Sequence, residues 1–180
     1  MAREEYMVLS GIALMVLALA VPGWIVFKRS RKISMARADI QAMVRAGQRY
    51  YAEYGVWPAE GITEYRDLRF GEQTPNALMM NVLRALNARG NRDHSVNTKR
   101  IPFIDVREKS AQRSGLDAVG NFLDPWGQPY QAVLDSNLDN GCDIEDSIYG
   151  RRIGAGMVVW SYGPDREADS VDDILSWELD

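Results

Sequence analysis

From Tyr6 to Phe27 the chain carries no charged residue, reading YMVLSGIALMVLALAVPGWIVF. As an α-helix this run spans roughly 33 Å, enough to cross a bilayer core of about 30 Å. It does not end in a small-residue cleavage site; it passes straight into KRSRK. The run therefore reads as a retained anchor, not a removed signal peptide. Pro22 and Gly23 predict a kink in it and not a stop. Whatever follows must fold as a domain tethered to that helix.

Helical spacing continues beyond the basic stretch. Ile33, Ala36, Ile40, Met43, Val44, Gly47, Tyr50, Tyr51 and Tyr54 recur every three or four residues. Arg37, Asp39, Arg45, Gln48 and Arg49 are assigned to the opposite, polar face. Gly55 is placed to end the helix in the left-handed conformation, and Pro58 prevents its resumption. The pattern predicts one helix of about 70 Å from near Tyr6 to Tyr54. The expected divisions are 1–27 for the N-terminal segment and transmembrane helix, 28–55 for its continuation, and 56–180 for a small globular domain.

Of the 180 residues 46% are hydrophobic, and what remains after the anchor suffices for one domain. Net charge is −4, so nothing global points to nucleic acid. Lys28, Arg29, Arg31 and Lys32 follow the anchor, a placement suited to lipid headgroups. Cys142 is the only cysteine, which excludes an intrachain disulfide. His94 is the only histidine, in the polar stretch NRDHSVN, and reads as a surface residue. No nucleophile elbow, phosphate-binding glycine loop or open catalytic metal pattern is visible, so a catalytic role is not expected.

Residues 56–73 read as loop. Thr74-Pro75 reads as a helix start, followed by an apolar face at Leu78, Met79, Val82, Leu83 and Leu86 and a stop at Gly90. The stretch 91–100 reads as polar and exposed. IPFIDV (101–106) reads as a short edge strand, because Pro102 removes a ladder donor. Residues 108–120 read as polar loop. In NFLDPWGQPYQAVLD, Pro125 and Gly127 bracket a turn and YQAVL alternates like a strand. Residues 137–152 read as an acidic connection, and GMVVWSYG (156–163) as a second clear strand. The aromatic residues Tyr50, Tyr51, Tyr54, Trp57, Trp126 and Tyr130 read as core. The class expected is α+β, a long N-terminal helix packed on a small antiparallel sheet.

Four aspartates crowd the closing loop: Asp165, Asp169, Asp172 and Asp173, with Arg166 a candidate internal counter-ion. Calcium takes six to eight oxygens in irregular geometry, whereas Mg²⁺ keeps its waters. The loop is the best candidate metal site in the chain, against a merely solvated acidic loop. A second run, DSNLDNGCDIED (135–146), imitates a calcium-binding EF-hand loop but fails on spacing. Its Gly141 comes one residue late and its last position is Asp146 in place of Glu.

Several of these stretches together resemble the type IV pilin-like proteins, and specifically the major pseudopilin of type II secretion systems. The likeness lies in Glu5 before an apolar run ending in Val21-Pro22, in YYAEYGVWP at the helix end, in LDPWGQPY, and in SYGPDREADSVDDILSW. Residues 61–120 carry little specific match. The resemblance implies a pilin-like fold and self-assembly through N-terminal helices into a short periplasmic fibre, the pseudopilus, which drives protein export. It implies minor pseudopilins and an inner-membrane assembly platform as partners, and a single-pass bacterial inner-membrane protein with its C-terminal domain in the periplasm. It implies a calcium ion held by Asp165, Asp172 and Asp173, with backbone oxygens from around Tyr162 and Ser170. Glu5 would neutralise the amino terminus of a neighbouring subunit. A carboxylate at the edge of an apolar run is costly in lipid unless paired, though Glu5 can also sit in the headgroup zone. Met1 stands at the family's mature first position and Ala2-Arg3-Glu4 replace its apolar residues. Either a leader cut by a prepilin peptidase stands upstream, which is the expectation, or the protein is not processed in the usual way. The alternatives are a type IV pilus or minor pilin subunit, or a membrane-anchored periplasmic binding module.

Overall fold

The computed structural model describes residues 29–61, 66–110, 113–144, 150 and 152–179. The apolar run, its kink and Glu5 lie outside them. Among the described residues no helix is long and apolar enough to cross a membrane. The chain divides into two compact units, Met1–Lys32 and Ile33–Asp180. Of the first, residues 29–32 are described, and they are helical.

The second unit is α+β. Helix α1 runs over residues 29–54 and enters it at Ile33. The expected stripe is what it buries: Ala36, Ile40, Met43 and Tyr50 are fully enclosed, and Ala46 joins them. Enclosing each of the larger side chains contributes about 1.5–3 kcal/mol. Tyr51 is the exception, exposed beside Trp57. Gly55 ends the helix as expected, with φ of +72° and its amide donating to the Tyr51 carbonyl at 2.8 Å.

The main sheet has four antiparallel strands in the order β1-β4-β7-β8. These are β1 (Leu68–Phe70), β4 (Gln131–Leu134), β7 (Met157–Ser161) and β8 (Ile174–Leu175). Leu134 faces Met157 and Gln131 faces Trp160 across the central pair. Two small hairpins flank it: β2 (Gly115–Leu116) with β3 (Phe122–Leu123), and β5 (Cys142–Asp143) with β6 (Arg152–Ile153).

Three local expectations need correction. Helix α2 is Ala77–Leu83, so it starts beyond Thr74-Pro75. Asn76 occupies the cap position, but its side chain is spent elsewhere. It accepts from the Phe122 amide (2.8 Å) and donates to the Tyr130 and Phe122 carbonyls (2.8 and 3.0 Å). IPFIDV joins no sheet, because the Phe103 amide donates to the Leu83 carbonyl at the end of α2. The 91–100 stretch is not simply exposed. Asn91 and Asn97 are fully buried, and Asn97 accepts from Tyr54 (2.7 Å) while donating to the Val82 and Ile101 carbonyls (2.8 Å each). Strands β1, β2, β5 and β8 also appear where loop was expected.

Candidate functional site

The closing loop hangs between β7 and β8, the last two strands of the main sheet. Its start and end are fixed by ladder pairing of Ser161 with Ile174 and Trp160 with Leu175. Trp177 packs edge-on against Trp160, with ring centres 6.1 Å apart. Gly163 has φ of +70°, and a Cβ there would run into the Asp172 carbonyl oxygen, so the two ends of the loop touch through backbone. Arg166 and Asp169 also adopt left-handed φ (+65° and +62°), a conformation that costs a non-glycine residue about 1 kcal/mol or more.

Within that frame the acids converge on Ser170. Its hydroxyl lies 2.9 Å from Asp172 Oδ1 and 3.1 Å from Asp173 Oδ1, and one proton can serve only one of them at a time. Asp173 Oδ2 accepts from the Asp169 amide at 3.1 Å. Asp165 Oδ1 accepts from the Glu167 amide at 3.0 Å. That amide, with lesser help from the Ser170 and Asp172 side chains, holds the exposed Asp165 carboxyl below the usual carboxylate range. Tyr162 is buried, and its hydroxyl reaches Glu72 Oε2 at 3.4 Å. Burial first, then the Glu72 charge, pushes its phenol up.

Asp165, Ser170, Asp172 and Asp173 are thus gathered on one loop, while Asp169 contributes its amide to the same knot. The donor atoms are hard oxygens throughout, which suits a cation such as Ca²⁺. The carboxylates do not close a cage: among the described residues no group of three or more His, Cys, Asp or Glu side chains stands in metal-holding geometry.

The EF-hand imitation is a turn. The Asp135 carboxylate accepts the Asp139 and Asn140 amides (3.0 and 3.1 Å), and Arg152 clasps Asp139 through two nitrogens at 2.6 and 2.7 Å. LDPWGQPY is also structural. The fully buried Asp124 accepts the Trp126, Gly127 and Gln128 amides (2.8, 2.7 and 2.9 Å) through Oδ1 and the Ser161 hydroxyl (2.6 Å) through Oδ2. It ties the turn to the start of the closing loop. Cys142 is buried, with its thiol pushed up to about 12 by that burial. His94 is half-buried on a 3-10 turn.

Asp39 corrects the helix reading. Assigned to the polar face, it is half-buried, and its Oδ2 accepts the hydroxyl of the enclosed Tyr130 at 2.8 Å. The signal was available: Asp39 lies three residues after Ala36 and four before Met43, on the edge of the buried stripe.

These features define a class: an α+β domain built on one long helix, closed by an acidic loop between the last two strands. No family model, characterised protein or solved structure matches the chain.

Proposed function

We propose that the chain is a structural subunit of a type II secretion pseudopilus, anchored in the bacterial inner membrane through Tyr6–Phe27, with its domain in the periplasm and a calcium ion held by the closing loop. The observation that carries this reading is the closing loop, where Asp172 and Asp173 share one Ser170 hydroxyl at the end of the sheet and Asp165 stands on the same loop. Carboxylates brought that close repel unless a proton or a cation sits among them. Residues 29–54 supply the other half of the argument: a helix with one apolar stripe committed to its own domain, following directly on an uncharged run. In this reading Glu5 sets the stagger between neighbouring anchors. Minor pseudopilins and the inner-membrane platform are the partners, and a prepilin peptidase acts on any leader. The role is assembly and not catalysis.

Two measurements on the full chain in detergent test it. Thermal unfolding with calcium against chelator should show an upward shift in Tm that Asp165→Ala removes. Cysteine pairs placed in the Tyr6–Phe27 run should crosslink neighbouring copies in membranes. Identical melting curves would leave the loop merely solvated, and anchors that never crosslink would point to a lone tethered module.

A further inference from the structure

Asp39 is a half-buried carboxylate on the inner edge of α1. Tyr130 donates its hydroxyl to it at 2.8 Å, Ser114 favours its charged form, and Asp124 adds a like charge that opposes it. Among the described residues no lysine or arginine pairs with it. Such an arrangement costs stability, because desolvation is repaid only by neutral donors. The cost is not required by the fold, since a neutral side chain could take the same hydroxyls.

Beside Asp39 lies a groove of about 570 Å³ between α1 and the chain after Pro102. Its walls are apolar: Met35, Ala38 and Ala42 from the helix, Ile104 and Val106 from the facing segment, with Phe122 behind. Its mouth is ringed by exposed charges of both signs, Asp105 and Glu108 against Arg107 and Arg113. An anion entering past the arginines would meet the Asp39 carboxylate. A cation on an aliphatic stem would meet apolar walls along its length and a negative charge at its head.

We propose that this groove binds an alkylguanidinium or alkylammonium group, its stem along Ala38, Ala42, Ile104 and Val106 and its head paired with Asp39. The site does not depend on the secretion reading. The same chemistry is offered by a free small cation or by a basic side chain of a second copy of this chain. Arg113, next to Ser114, is the competing internal cation. It is exposed and makes no ion pair with Asp39.

The test is an NMR titration of the full chain in zwitterionic detergent micelles with n-butylguanidinium, using n-butylurea as the neutral isostere. The Asp39 carboxyl carbon and the Tyr130 and Phe122 ring signals report. We expect saturable shifts at millimolar probe, and a response to n-butylurea about tenfold weaker or less, the worth of a charge-assisted hydrogen bond. Asp39→Asn, followed through the two rings, should lose the binding. Arg113→Ala should bind as well as the parent or better. Absence of saturation, equal response to the urea, or binding that survives Asp39→Asn would overturn the site. So would loss of binding in Arg113→Ala. Dilution of the chain without probe separates the sources. Asp39 signals that move with protein concentration assign the cation to a second copy, and signals that do not move assign it to a free small molecule.

Discussion

Asp39 and Asp165 respond oppositely to pH, although both are aspartates on one small domain. Burial raises the Asp39 carboxyl above its unfolded value of 3.8. The native state then keeps that proton to higher pH than the unfolded chain does. Asp39 contributes stability below pH 3.8 and loses it as pH rises through the folded value. Asp39→Asn should therefore raise Tm by a few degrees at pH 7 and flatten this part of the pH dependence, as read by thermal melts between pH 4 and 8. Asp165 is held low by the Glu167 amide, so its contribution is present above 3.8 and is lost as pH falls through its folded value. Asp124 is a different case. It is fully buried and satisfied by three amides and a hydroxyl, and Asp124→Ala leaves all four donors unpaired. We expect a loss of about 3 kcal/mol or more by chemical denaturation. The Cys142 thiol, enclosed and pushed up to about 12, should resist iodoacetamide in the native protein and react only on unfolding.

Among the elements, α2 is short, and its hold on the domain is polar as much as apolar. Its C-terminal carbonyls are taken up by chain from beyond Asn91: Val82 by the Asn97 side chain and Leu83 by the Phe103 amide. Gly90 has φ of +88°, and a Cβ there would lie 2.6 Å from the Leu78 carbonyl oxygen. Asn97→Ala should cost about 2–4 kcal/mol, because it takes the Asn97 partner from the Ile101 carbonyl and amide and from the Tyr54 hydroxyl proton together. Hydrogen exchange should show α2 opening ahead of the central β4–β7 pair. This element was expected, but its bounds, Ala77–Leu83, are tighter than the Thr74-to-Gly90 stretch read from the sequence. Thr74-Pro75 has the residue types of a helix start, but the Asn76 side chain is drawn away by Phe122 and Tyr130, forty-six and fifty-four positions along. The DPWG turn, the strands at YQAVL and GMVVW, and the Gly55 stop were all readable, because each is fixed by neighbours within a few residues.

For the molecule as a whole, a ligand that binds only the folded state adds stability by mass action. Calcium at a hundred times its dissociation constant should add about 2.7 kcal/mol. In a domain this size that raises Tm by roughly 5–10 °C. Calorimetry of the parent and Asp165→Ala at matched calcium would read the difference. Local rules in the residue order were enough to set the buried stripe of α1, its glycine stop, the two longest strands and the α+β class. Period and turn chemistry act over a few residues and leave a pattern that can be counted. Tertiary contacts chose the rest. Leu68–Phe70 becomes a strand only because Leu134–Ala132 lies open beside it, and IPFIDV becomes none because Leu83 takes its amide. Asp39 leaves the polar face because a tyrosine ninety-one positions away donates to it. Asp172 and Asp173 meet at Ser170 because β7 and β8 pair and close the loop between them. Each of these outcomes depends on which distant backbone or hydroxyl group is left unpaired, and that is decided only when the chain packs.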